Sequence, residues 1–370
     1  MEKSRDEAAG FVTAAGGGDE EVSFGRLSVF FNARYESFDR DRKEADEERA
    51  YEGDTWGGQF GADYRITDAW VVGALVGFDH TSTNFDADVQ ATGFFPFPNE
   101  GGVQTHGGFL NIYSSYNITD GLYVEGTLGG GYTDYAFDRD VLYLDSGRAT
   151  PIPVIAEGDT WGVQGSASGG VGYDFYFDAF SIGPYVRANY TRTYVDGFTE
   201  DDTNGSGLQM TFGEDNTDSF TSVVGLGASY AISTDFGVII PQGRIEWEHE
   251  FARDRRTIEA QFVNDASGTT FLTRTDSPDR NYFNAAASVL VLLPNGWMAF
   301  ADYEALLAYH ELERHRGTRS ASASSSDRRS GEGVASGPRR AAGGLPQPRS
   351  RVWGLNCWAP RQRARANALT

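Results

Sequence analysis

Over most of the chain, apolar and polar residues alternate with a period of two, in long stretches broken by short polar links. The alternation predicts eleven β-strands, at about 24–38, 52–66, 70–85, 106–118, 122–137, 160–176, 181–195, 219–232, 238–252, 282–293 and 297–309. In the second, Trp56, Gly58, Phe60, Ala62 and Tyr64 share one face, and Gly57, Gln59, Gly61, Asp63 and Arg65 the other. In the sixth, Trp161, Val163, Ala167, Val171, Tyr173 and Phe175 fall together with Gly165 and Gly169. In the seventh, Arg187, Asn189, Thr191 and Thr193 oppose Val186, Ala188 and Tyr190. A soluble sandwich with one wet face and a membrane barrel with a polar lumen both produce this pattern. Length separates them, because soluble strands average ~5–6 residues whereas an outer-membrane span needs ~9–11 tilted residues plus extensions. Trp56, Trp70, Tyr123, Trp161, Tyr230 and Trp297 lie near strand ends, where interfacial aromatic girdles are expected.

The connections decide between the two. Short links at 67–69, 119–121, 177–180, 233–237 and 294–296 alternate with long ones at 39–51, 86–105, 138–159, 196–218 and 253–281. A membrane barrel has short periplasmic turns and long external loops, which is this alternation. The first connection is long, so the first strand runs outward from the periplasm. Eleven strands would leave the chain outside with an open edge, and single-chain bacterial barrels have an even count. A twelfth strand is required after about residue 313, yet residues 317–324, GTRSASAS, do not alternate. The expected fold is therefore an all-β, antiparallel up-and-down transmembrane barrel, twelve-stranded by design, with its closing strand lost.

Composition changes the picture at the two ends. The net charge is −22, but residues 317–370 hold ten Arg against two acidic residues, leaving −30 on the rest. So acidic a body excludes nucleic acid as a partner. The last residues are rich in Arg, Ala, Gly, Pro and Ser and hold the single cysteine, Cys357. That is what a GC-rich gene yields in a wrong frame, so a frameshift near 314–317 is expected, with a genuine disordered basic tail as the alternative. No stretch of 18 apolar residues offers a transmembrane helix, and residues 1–21 show no secretory signal, so the reading expects a late start or a fragment. The expected domains are a short periplasmic remnant at 1–23, the barrel at 24–315 and an aberrant or disordered tail at 316–370.

Several stretches carry a family resemblance. Residues 56–65, WGGQFGADYR, and 69–80, AWVVGALVGFDH, resemble the second hairpin of autotransporter (type V secretion) barrels, and 111–117, NIYSSYN, with 120–126, DGLYVEG, the next one. Residues 241–251, PQGRIEWEHEF, and 297–304, WMAFADYE, preceded by 279–283, DRNYF, are similar to late strands of that family. The resemblance spans about 24–315. It implies a twelve-stranded translocator and anchor in the outer membrane of a Gram-negative bacterium, supporting export of an N-terminal passenger. The partners it implies are outer-membrane lipid and lipopolysaccharide, the barrel-assembly machinery and a passenger polypeptide, with the barrel a monomer. The family's aromatic-ended final strand and its pore-threading helix are not visible in the pattern, and Gly16, Gly17 and Gly18 would weaken a helix before the barrel. A passenger-less pore or surface adhesin is the alternative function.

Candidate chemistry is sparse. His80 and His106 flank one external loop and Asp79 adjoins His80, but neighbouring strand residues face opposite sides, so solvated rim side chains are the simpler reading. No Gly-x-Ser-x-Gly elbow occurs. The loop at 196–218 carries Asp196, Glu200, Asp201, Asp202, Asn204, Glu214, Asp215 and Asp218, oxygen ligands of the kind that bind Ca²⁺, although the spacing is not that of an EF-hand. The expectation is no enzyme, no cofactor and no metal. Arg65, Arg187, Arg244, Glu246 and Glu248 occupy polar-facing strand positions and are expected to line the lumen as structural contacts, or to select permeating ions.

Overall fold

In the computed structural model, the described residues are 22–24, 26–41, 50–86, 101–143, 152–252, 256–275, 277–293, 297–310 and 312–323. The expected N-terminal remnant, apart from Val22 and Ser23, and the tail beyond Ala323 lie outside them. Twelve long antiparallel strands among these residues form one ring: β1 Leu27–Arg40, β2 Tyr51–Thr67, β3 Trp70–Phe85, β4 Gly102–Asn117, β5 Leu122–Tyr143, β6 Ile152–Tyr173, β7 Phe180–Val195, β8 Asp215–Tyr230, β9 Gly237–Glu250, β10 Asn281–Leu292, β11 Trp297–Leu307 and β12 Leu312–Ala323. Each pairs with its sequence neighbours, and β12 returns to β1 with Ala33 opposite Arg319 and Arg40 opposite Leu312.

The closing strand corrects the expectation that it was lost. Alternating hydrophobicity is absent from β12, but its ladder is made by backbone groups, which in lipid have no other partner. β12 pairs with β11 from Trp297 opposite Ala323 to Ala305 opposite His315. Arg314, Arg316 and Thr318 fall on the inward face, where polarity is tolerated. Arg319 sits outward between Ala33 and Ala301, a position that costs an Arg ~2–4 kcal/mol at the bilayer centre. The barrel thus runs past the expected boundary at residue 315.

A second difference concerns the expected connection at 138–159. β5 and β6 are 22 residues each and continue their ladder to Tyr143 opposite Ile152. The membrane needs only about half that length, so this hairpin projects outward as paired strands.

The two faces follow the parity read from the sequence. Phe60, Val76, Leu110, Ile112, Leu128, Val186 and Ile245 are exposed around the ring and form the apolar belt that lipid covers. Trp70, Tyr116, Tyr173 and Tyr230 border it near the short turns, and Tyr35, Trp56, Tyr132 and Trp161 near the long loops. Tyr123 is a correction. It is only 4% exposed and lies on the lumen face, because its neighbour Val124 takes the outward position. Nearness to a strand end suggested an interface residue, but parity decides the face. The side chain of Trp297 lies outside the described residues.

The inward face shows why glycine is abundant. Tyr185 on β7, Gly225 on β8 and Glu246 on β9 form one cross-strand row. The Tyr185 hydroxyl donates to Glu246 Oε1 at 2.5 Å, and a Cβ on Gly225 would lie 2.2 Å from the Tyr185 ring. The ring therefore crosses the middle strand over a bare backbone. Gly225→Val should displace Tyr185, break its bond to Glu246 and destabilise the barrel by ~1–3 kcal/mol. Chemical unfolding in detergent, followed by Trp fluorescence, measures this.

Candidate functional site

The lumen wall repeats that arrangement. Arg34, Gly57 and Asp79 are one row across β1, β2 and β3, and Arg34 Nη2 meets Asp79 Oδ1 at 2.8 Å over the glycine. Asp63, Gly73 and Tyr113 are another, with the Tyr113 hydroxyl donating to Asp63. Arg244 and Glu304 form an ion pair across Ala286 in the same way. Strands two apart lie ~9–10 Å from each other, so the partners meet only where the residue between is very small.

The expected lumen residues are brought together on one side. Glu246, 3% exposed, takes the Tyr185 hydroxyl and Arg187 Nη2 at 3.2 Å. Glu248 accepts from Asn284 Nδ2 at 3.0 Å. Arg65 lies apart near the periplasmic end of β2, at the register shift between Arg65 and Thr67. Sequence reading missed Glu304, which is 4% exposed and flanked by three guanidinium groups: Arg244, Arg316 at 2.7 Å and Arg314 at 3.7 Å. Three cations on one carboxylate keep it paired whichever of them moves. The missed signal was the inward parity of Glu304 together with that of Arg314 and Arg316, which sit just where the alternation fades.

The outer mouth holds a structure the pattern did not predict. Two external loops supply a four-stranded antiparallel sheet from Phe198–Thr199, Met210–Phe212, Thr257–Phe262 and Thr270–Arg274. Met210, Phe212, Ile258 and Ala260 are buried against Phe85, Val103, Tyr135, Phe137 and Val195, which are inward positions at the outer ends of β3, β4, β5 and β7. Phe198 stacks on Phe137 at 4.9 Å and on Phe212 at 5.0 Å. The loops leave the ring at β7–β8 and β9–β10, yet their apolar face reaches the wall at β3–β5, so the sheet crosses the mouth as a cap.

Polar contacts fix the cap at its edges. Arg139 on β5 and Glu200 are almost fully buried, with paired contacts of 2.7 and 2.5 Å. Glu200 also accepts from the Met210 amide at 2.8 Å. Asp201 and Asp202 pair antiparallel alongside the outer part of β6, opposite Glu157 and Ala156. The Asp202 carboxylate receives the Gly207 and Ser206 amides, which holds it below the usual carboxylate range. Hydrogen bonds from Ser267 and Thr269 likewise lower Asp265 to about 2. The acidic loop considered for Ca²⁺ is thus engaged in turns, a strand and a buried ion pair. Among the described residues no three His, Cys, Asp or Glu side chains gather in a geometry that suits a metal ion.

The rim pair separates as parity requires. Asp79 points inward to Arg34, and His80 points outward to His106. The acid and the imidazole therefore do not meet.

Arg139→Ala leaves Glu200 buried without its cation, a loss of ~3–5 kcal/mol that should free the cap from the wall. Planar-bilayer recordings should show a larger or more frequently open conductance for Arg139→Ala than for the unaltered chain. An unchanged conductance would mean that the cap does not limit the pore.

The autotransporter beta-domain family profile matches residues 29–304. An uncharacterized protein in the trpE-trpG intergenic region of Pseudomonas putida is 24% identical over 204 residues, 54% of this chain and 30% of that protein. Esterase EstA of Pseudomonas aeruginosa is 26% identical over 182 residues, 47% of this chain and 25% of its own length. The chain thus spans about a quarter to a third of these curated relatives. Among solved structures, the translocator domain of autotransporter NalP from Neisseria meningitidis superposes with a TM-score of 0.59 at 15% identity, covering 87% of this chain and 94% of that one. The transport unit of autotransporter AIDA-I from Escherichia coli gives 0.51 at 11% identity, covering 87% and 98%. With the profile covering most of its length, this chain belongs to the autotransporter beta-domain family, as an outer-membrane translocator barrel.

Proposed function

We propose that this barrel anchors in the outer membrane and supports export of a passenger joined on the N-terminal side of Leu27. The observation that carries the reading is the lumen wall, whose paired Arg, Glu, Asp and Tyr side chains form a wettable surface. β1 begins at the end of the ring that carries the short turns, so a segment attached before it would enter from the periplasmic side. Such a surface suits an extended polypeptide, whose backbone needs hydrogen-bonding company throughout transit. Outer-membrane lipid, including lipopolysaccharide, contacts the aromatic belt in this reading, and the barrel-assembly machinery inserts the strands. The lumen charges act as structural braces of the wall.

A reporter with a periplasmic signal, fused ahead of Leu27, tests export. Surface labelling of intact cells should detect it, and a reporter that stays protease-protected in the periplasm would overturn the reading. The loop sheet at the mouth favours a second reading, in which the barrel is a surface adhesin without a passenger.

We also propose that the change of composition near the C-terminus begins after Arg316 and reflects a shifted reading frame. Arg314 and Arg316 still serve Glu304 on the lumen face, whereas Arg319 falls on the lipid face. Resequencing the gene should reveal an alternative frame encoding apolar residues at the outward positions from 317 onward. The absence of such a frame would leave the tail as genuine coding sequence.

A further inference from the structure

On the outward face, near the external end, one cross-strand row runs Trp56, His80, His106, Asp134, Trp161. The two tryptophans mark the interfacial girdle, so the residues between them are reachable from external water. His80 and His106 are direct partners on β3 and β4. Their rings lie 4.4 Å apart with planes 35° from parallel, and their Nδ1 atoms are 3.2 Å from each other. The Trp56 ring packs on His80 at 5.4 Å and limits its freedom.

An aromatic girdle has no need of two imidazoles whose nitrogens converge. Two His nitrogens bound to one ion at ~2.0–2.1 Å, at the angles of a tetrahedral or square-planar centre, stand ~2.9–3.4 Å apart. The observed separation falls in that range. Neutral imidazoles can share one hydrogen at the same distance, so the pair is held in register before any ion arrives. We propose that His80 and His106 form a two-histidine site for a late first-row divalent metal ion (Cu²⁺, Ni²⁺ or Zn²⁺) at the external rim. Water completes the coordination, while Asp134, next in the row beyond His106, accepts the Tyr132 hydroxyl instead. The ion would staple β3 to β4 where the ladder leaves the membrane.

Titration of the refolded full chain with Ni²⁺, followed by calorimetry, should show one such site. His80→Asn or His106→Asn should each weaken binding at least about tenfold, and the double variant should abolish it. His249→Asn, on the far wall, should leave it unchanged. With Cu²⁺, electron paramagnetic resonance should report two equatorial nitrogens in the unaltered chain and one in either single variant. Should a variant fail to fold, the unaltered chain still gives an answer. Ni²⁺ should protect both His80 and His106 from diethyl pyrocarbonate, read by mass spectrometry. Unprotected histidines, or a double variant that still shows two nitrogens on Cu²⁺, would overturn the proposal.

Discussion

Inside a bilayer there is no water to satisfy a stray N–H or C=O, so the chain must form a backbone ladder that returns to its starting strand. Everything else in this molecule is arranged around that ring. It explains why Leu312–Ala323 takes a strand at all: a sequence with little side-chain preference for the position completes a row of hydrogen bonds that β1 and β11 would otherwise leave open. The side chains of β12 then sort by face. Arg314 and Arg316 find Glu304 in the lumen, whereas Arg319 is left on the lipid side. Closure is thus secured by backbone and weakened by side chains within one strand.

The ring fixes the spacing of the strands, and that spacing dictates the chemistry of the wall. Where a polar residue reaches across its neighbouring strand to a partner on the one beyond, a glycine or alanine in the middle lets it pass. Arg34 to Asp79 over Gly57, Tyr113 to Asp63 over Gly73, Tyr185 to Glu246 over Gly225 and Arg244 to Glu304 over Ala286 are one device used four times. The device braces second-neighbour strands, which the backbone ladder cannot link. It also engages polar and charged groups that would otherwise face a wet channel.

At the outer end the constraint relaxes, because water is available again. β5 and β6 outgrow the membrane, and the β7–β8 and β9–β10 loops fold into a sheet of their own. That sheet has an apolar face, which packs on inward positions at the outer ends of β3, β4, β5 and β7. The cap therefore depends on the barrel, and the buried Arg139–Glu200 pair selects its position.

Much of this was legible in the residue order. Period-two alternation, strand length and the alternation of short and long links pointed to a membrane barrel and put Arg187, Arg244, Glu246 and Glu248 on polar-facing positions, because parity along a strand is a local property. Parity also separates Asp79 from His80. Tyr123 faces inward because parity, not nearness to a strand end, sets the face. What the tertiary structure decided depends on register between strands far apart in the chain: the four braces across small residues, the cage of arginines around Glu304, the meeting of His80 with His106, and the loop sheet that finds the far wall. The closing strand belongs to this second group. Its side chains do not ask for it, and only the unpaired edges of β1 and β11, brought together by the ring, require it.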